Sequence, residues 1–268
     1  MKIGLFITAR LKSSRLPFKL LRDLNGYNII EHVINRSKQV YGIDGIVLCT
    51  STNKQDKPLV DVAFKNEIYY FLGSEKDVLQ RLADAADFFG YDYLVSITGE
   101  NPLFSIDHAN MLVDKMKLDK DDFILINGLP IGCAVYGIRT NALKTVCQIK
   151  KEIDTEIWGP LINRPEIFKV GKLQVEEFYN RPEIRFTNDY FEDFVMMNTI
   201  FQLFPPHSSP SLYSVLKLID ENPEILKINQ MRRQLNLDDQ TLEKIDRYYI
   251  ENFDRISETK NKIYFDDI

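Results

Sequence analysis

The chain has 268 residues, of which 44% are hydrophobic and 27% charged, with a formal net charge of -5. That length suits one large domain, or one domain with an appendage, and the composition is that of a folded globular chain rather than a disordered one. The acidic balance excludes broad binding along a nucleic-acid backbone, which needs a basic surface, but not one small nucleotide held by a few local cations.

The apolar pattern divides the first two thirds of the chain into alternating strands and helices. Residues 3–8 read as a buried strand followed by a polar, proline-containing loop. Residues 27–39 carry Ile29, Ile30, Val33 and Ile34 at helical spacing. A strand at 46–50, a helix at 56–65 and a strand at 68–72, ended by Gly73, follow. Residues 77–89 line Val78, Leu79, Leu82, Ala85, Ala86 and Phe89 along one side of a helix, before a strand at 93–97 and a helix at 106–116. Continuous apolar strands separated by helices imply a mostly parallel, Rossmann-like sheet covered on both faces, a three-layer α/β/α sandwich. Such sheets bind ligands beyond the carboxyl ends of their strands.

After a strand at 123–127 the pattern loosens. Residues 131–138 read as another strand, and 168–177 as a short antiparallel pair turning at Gly171-Lys172. Pro205, Pro206, Ser208, Ser209 and Pro210 break helix and strand alike, so this stretch is the best linker candidate. Helices are expected at 212–219 and 242–253. The organisation expected is one α/β domain over residues 1–204 and a helical extension over 211–268. Cys49, Cys133 and Cys147 show no metal spacing and read as buried thiols in a reducing compartment. The apolar start is too short for a secretory signal, and no stretch approaches the ~20 apolar residues of a membrane span. A cytoplasmic protein with no membrane partner is the expectation. His32, His108 and His207 have no triad or metal spacing and read as structural.

The loop Thr8-Ala9-Arg10-Leu11-Lys12-Ser13-Ser14-Arg15-Leu16-Pro17-Phe18-Lys19 carries the clearest chemistry. Fixed cations directly after the first strand, with small residues that let backbone N–H groups approach, form what a triphosphate needs. Arginine suits bidentate phosphate contact and lysine a movable point charge. A solvated basic loop would have the same charge. Neither a P-loop nor a GxGxxG turn is present.

The spacing of Arg10, Arg15, Leu16, Pro17 and Lys19, with Ser13-Ser14 and Leu20-Leu21 between and after them, resembles the ARxxSxRLPxKxL signature of the cytidylyltransferases related to CMP-KDO synthetase, above all the spore coat polysaccharide biosynthesis protein F group. The likeness continues at Cys49-Thr50-Ser51, at Gly73-Ser74 with Asp77, Val78, Leu79 and Arg81, at Thr98-Gly99-Glu100-Asn101-Pro102-Leu103, and at Thr187-Asn188-Asp189 with Glu192, Asp193 and Phe194. It covers most of the first two hundred residues.

The resemblance implies a nucleotidyltransferase architecture of the GT-A type. The implied reaction transfers CMP from CTP to a sugar-type acid or phosphorylated acceptor, releases pyrophosphate, and serves cell-surface polysaccharide synthesis. It implies that Arg10, Arg15 and Lys19 are catalytic, neutralising the phosphates and the departing pyrophosphate. Thr8, Ala9, Ser13, Ser14, Thr50, Ser51, Ser74, Asp77, Thr98 and Gly99 would complete the nucleotide site. Glu100 and Asp189 would hold Mg2+, and the protein would be a homodimer. Another sugar-phosphate nucleotidyltransferase and a catalytically weakened nucleotide-binding scaffold are the alternative readings. The chain departs from the family at Glu100, usually aspartate, and at Phe18, usually glycine. It departs also at Ile157, often histidine, and over Gly132-Cys133-Ala134-Val135, where an acidic residue is missing. The last two departures fall in the acceptor half.

Overall fold

A computed structural model describes residues 1–152 and 154–265. Its strands in chain order are β1 (Ile3–Thr8), β2 (Asp23–Leu24), β3 (Tyr27–Asn28), β4 (Gly45–Ser51), β5 (Tyr69–Gly73), β6 (Tyr93–Thr98), β7 (Phe123–Asn127), β8 (Tyr136–Arg139) and β9 (Val170–Gln174). Its α-helices are α1 (Ile29–Ser37), α2 (Lys57–Lys65), α3 (Val78–Phe89), α4 (Ile106–Asp119), α5 (Thr140–Ile149), α6 (Gly159–Ile162), α7 (Phe191–Gln202), α8 (Leu212–Glu221), α9 (Asp239–Glu251) and α10 (Phe253–Phe265).

Seven strands form one sheet in the order β5-β4-β1-β6-β8-β7-β9. Only β8 runs against its neighbours; β1 pairs in parallel with β4 and β6, β4 with β5, and β7 with β9. The most apolar run, Ile3–Thr8, is buried at every residue and takes the central place. Two apolar layers flank the sheet. Ile3, Leu5 and Ile7 face a core shared with α1, α2, α4, α7 and α8, while Phe6 faces one shared with α3, α5, α6, α9 and α10. The sandwich expected from the sequence is what the structure has. The helices beyond residue 211 split between the two faces: Val215 and Leu216 enter the first core, and Ile245, Tyr249 and Ile256 the second. Among the described residues no helix is long and apolar enough to cross a membrane.

Local signals set the helix starts. Asp77 accepts from the Gln80 N–H at 3.0 Å to begin α3, Ser105 caps α4, and Ser211 and Asp238 cap α8 and α9. Three expectations are corrected. The stretch 168–177 is a single strand rather than a hairpin. Gly171 makes no turn but pairs with Ile124, and only glycine fits there because a Cβ would meet Asp121 Oδ2 at 2.0 Å. Of the strand expected at 131–138, the sheet receives only Tyr136–Arg139, while Ile131 bridges singly to Arg185. Residues 27 and 28 belong not to α1 but to a tight hairpin with Asp23 and Leu24, turned by Asn25 and Gly26 at φ 57° and 101°.

Candidate active site

The ends of β1, β4, β5 and β6 lie side by side, and the loops that leave them meet the loops around residues 132 and 189. The loop 9–19 is anchored from within. Leu11 and Leu16 are buried, and the Leu11 N–H donates to Asp56 Oδ1 at 2.7 Å. Ser51 Oγ donates to the other oxygen of Asp56 at 2.5 Å. The loop's cations therefore point away from this anchor in two directions.

Arg10 and Lys12 turn toward the loop after β5. Arg10 donates to the Glu75 carbonyl at 2.6 Å and lies 3.4 Å from Glu156, and Lys12 pairs with the Glu75 carboxylate at 3.0 Å. Arg15 and Lys19 turn the other way, onto Asp189. Lys19 Nζ is 2.9 Å from Asp189 Oδ1 and 3.9 Å from Glu100 Oε1, and Arg15 reaches Asp189 Oδ1 at 3.2 Å. One buried ammonium is thus shared by the two carboxylates that the sequence singled out.

Backbone contacts hold these carboxylates together. The Asn188 N–H and its side-chain amide both donate to the Glu100 carbonyl, at 3.2 and 3.1 Å. The segment before Asp189 is bonded to the 131 region through Ile131 N–H to Ile184 O and Phe186 N–H to Ile131 O, each 2.8 Å. Gly132 makes this approach possible: its φ is +90°, and a Cβ would meet the Phe186 carbonyl at 2.8 Å.

The charge balance follows from these contacts. Burial works to lower the Lys19 pKa, but Glu100 and Asp189 outweigh it, so Lys19 is held above the usual lysine range as a firm ammonium. Burial works to raise Asp189, and Lys19, Arg15 and Arg185 outweigh it, holding this carboxyl below its usual range. Glu100 goes the other way. Burial raises it, the Lys19 charge only partly opposes, and the neighbouring Asp189 adds to the rise.

The remaining candidates are distributed as follows. Thr8, Ala9, Thr98 and Gly99 sit together where β1 and β6 end; Gly99 N–H bonds the Thr8 carbonyl at 2.8 Å, and Thr98 Oγ1 accepts from the Asn101 amide at 2.7 Å. Ser13 is half-buried and accepts from the Leu16 N–H at 3.2 Å, and Ser14 is exposed. Thr50 is fully buried. Ser51, Ser74 and Asp77 serve the fold itself: Ser74 accepts from the Asp77 N–H at 3.0 Å, and Asp77 pairs with Lys150 and accepts from Thr155 Oγ1 at 3.0 Å. Histidines stay outside this cluster. His32 contacts the Leu24 carbonyl, His108 lies between Ser105 and Glu176, and His207 packs on Tyr27.

Sequence reasoning missed Arg185 and the role of Asp193. Arg185 Nη2 holds Asp189 Oδ2 at 2.7 Å, and its Nε meets Asp193 Oδ1 at 3.1 Å. Their spacing, Arg185-x3-Asp189-x3-Asp193, was the available signal.

The sequence profile of the family described as Cytidylyltransferase matches residues 5–245. The chain belongs to the cytidylyltransferase family. The protein named Uncharacterized protein MJ1063 from Methanocaldococcus jannaschii is 32% identical to this cytidylyltransferase over 236 residues, covering 87% of this chain and 97% of that one. The spore coat polysaccharide biosynthesis protein SpsF of Bacillus subtilis is 24% identical over 225 residues, covering 81% and 94%. A solved cytidylyltransferase structure from Leptospira borgpetersenii superposes with a TM-score of 0.78 at 24% identity, covering 88% of this chain and all of that one, and so shares the fold. As a family member the chain is a nucleotidyltransferase enzyme.

A divalent cation fits the cluster. Among the described residues no group of three or more His, Cys, Asp or Glu side chains converges, so the protein would offer Glu100 and Asp189 alone. Magnesium is commonly held by one or two carboxylates together with substrate phosphates and water. The residues next to the pair in sequence, Asn101 and Asn188, have amide oxygens that are buried without a hydrogen-bond partner.

Proposed function

We propose that the protein transfers CMP from CTP to a sugar-type acid or phosphorylated acceptor with release of pyrophosphate, in the cytoplasm, toward a cell-surface polysaccharide precursor. The observation that carries this reading is the Lys19 ammonium shared by Glu100 and Asp189 with Arg15 beside it, at the strand ends of a cytidylyltransferase-family sheet. The spore coat polysaccharide name of one relative supports the pathway. Family membership supports the cytidine base.

In the reaction an acceptor oxygen attacks the α-phosphorus, the bond to the β-phosphate oxygen breaks, and pyrophosphate leaves with that electron pair. Such transfers depend on positioning and on neutralising anionic oxygens. Arg10 and Lys12 on one side of the loop, and Arg15 and Lys19 on the other, would bind the phosphates. Each exchanges a protein carboxylate or carbonyl for a phosphate oxygen as the nucleotide enters. Arg10 releases Glu75 and Glu156, and Lys19 releases Glu100 and Asp189. Thr8, Ala9, Ser13, Thr98 and Gly99 shape the wall near the nucleotide, and Ser51 and Asp77 hold the loops that carry it. Magnesium, when bound, supplies neutralising charge at the phosphates, and Glu100 and Asp189 would hold it. We further expect a homodimer.

The experiment is pyrophosphate release with Mg2+ and each of the four nucleoside triphosphates, against a panel of sugar acids and sugar phosphates. Release with CTP and one acceptor, lost in Asp189→Ala, supports the reading. Equal release with all four triphosphates would remove the cytidine assignment, and binding of none would remove the enzyme reading.

A further inference from the structure

Between the 3-10 turn Pro223–Ile228 and α9 the chain crosses without regular structure, and three of its side chains reach the loop that carries Asp189. Asn229 Nδ2 donates to Asp193 Oδ1 at 2.9 Å and to the Arg185 carbonyl at 3.1 Å. Arg232 pairs with Glu192 at 2.6 Å, its guanidinium 4.8 Å from the centre of the Tyr190 ring. Gln234 Oε1 accepts from Arg185 Nη1 at 2.5 Å.

Arg185 is 6% exposed, Asp193 fully buried and Asn229 4% exposed, so their contacts are made out of water, while Arg232 and Gln234 close over them from the exposed side. The guanidinium is a rigid planar fork. Its Nε and Nη2 grip Asp193 Oδ1 and Oδ2 at 3.1 and 3.2 Å, its Nη1 lies on Gln234, and Nη2 also reaches Asp189 Oδ2 at 2.7 Å. Asp193 fixes one edge of the fork and Gln234 stops it pivoting about that edge, so the shared Nη2 is held in the one direction that sets the Asp189 carboxylate. Asp189 Oδ1 is then left facing Lys19 and Arg15. Asp193 itself is saturated by the backbone N–H groups of Asp189 and Tyr190, both at 3.0 Å, so it cannot follow a tilting arginine.

We propose that the crossing segment 229–234 is a positioning element for the transfer site, acting through Arg185 to orient Asp189 for the divalent cation. The inference rests on the reading of Asp189 as a cation ligand. It gives a task to a part of the chain far in sequence from the phosphate-binding loop. Partners behind a metal ligand typically change metal affinity by roughly 10- to 100-fold when lost.

The test uses the full chain with Mn2+ as the probe, its free concentration read by electron paramagnetic resonance with CTP present. Gln234→Ala, which leaves Nη1 without its acceptor, should weaken Mn2+ binding about tenfold. CTP affinity without metal and the thermal midpoint should stay close to those of the wild type. Gln234→Glu, whose carboxylate still accepts from Arg185, should restore Mn2+ binding. Unchanged Mn2+ affinity in Gln234→Ala, or no rescue by Gln234→Glu, overturns the proposal. So does a metal-free CTP affinity that falls in step with that for Mn2+. Wild-type protein that binds CTP but retains no Mn2+ would instead remove the cation reading of Asp189, and the positioning role with it.

Discussion

Phe18 holds a backbone conformation that its side chain disfavours. Its φ is 53° and ψ 27°, the left-handed region, and the ring is 54% exposed. The family signature usually has glycine here, and this geometry gives the reason. A residue with a Cβ costs about 1–2 kcal/mol in that region, and glycine almost nothing. Glycine's greater freedom in the unfolded chain takes back about 0.5–1 kcal/mol. Phe18→Gly and Phe18→Ala lose the same ring, so the difference between them isolates the backbone. Glycine should be the more stable of the two by about 0.5–1 kcal/mol, against its usual disadvantage. For a chain of this size that is a melting difference of about 1–3 °C. Urea denaturation of the two variants measures it, with the slopes compared to exclude a change in the unfolded state. An alanine variant as stable as the glycine variant, or more so, would refute the strain argument.

Other consequences follow from the same contacts. Asp189→Asn should lower the rate of CTP turnover about 100-fold or more, in steady-state kinetics, because a carboxylate that would hold the divalent cation at the phosphates is lost. Lys19→Met should raise the CTP dissociation constant and remove a partner that keeps the Asp189 carboxyl low. Asp189 has a depressed folded pKa, so its stabilising contribution is complete above the ordinary value near 3.9 and is lost as pH falls through the folded one. The stability gap between wild type and Lys19→Met, followed by chemical denaturation, should therefore shrink as pH falls from about 6 toward 3. A gap that widens would contradict the assigned pairing. Arg36 is 1% exposed and donates to the Phe104 carbonyl at 2.6 and 2.8 Å and to the Pro210 carbonyl at 2.7 Å. Arg36→Met leaves those acceptors without a donor and should cost roughly 1–3 kcal/mol for each, read from urea midpoints.

What the sequence made legible was whatever rests on continuous apolar runs and local signatures. Ile3–Thr8, Gly45–Ser51 and Tyr93–Thr98 are central strands buried on both faces, so period and composition agree. The loop from Arg10 to Lys19 could be seen because its cations are close in sequence. Asp189 could be placed beside Lys19 only through resemblance, since nothing local joins residues that far apart. Gly171 misled because glycine marks close approach as well as turns, and the neighbour it approaches, Asp121, is distant in sequence. The helix expected at 242–253 ends within two residues of α9, whereas α10 was not legible, because its charged run 253–265 buries little beyond Ile256. Arg185 was marked in the sequence only by its spacing from Asp189 and Asp193. Its importance lies in Asn229 and Gln234, which come to it from beyond the linker.

The most direct test of the account is the phosphorus chemistry. The protein, Mg2+ and CTP would be followed by 31P NMR with the acceptor that releases most pyrophosphate, and the product identified by mass. The account predicts equal amounts of pyrophosphate and a CMP-linked acceptor, both abolished in Asp189→Asn. CDP with a phosphorylated acceptor would place the attack at the γ-phosphate, and free CMP without linked product would make the protein a hydrolase. Either would contradict it.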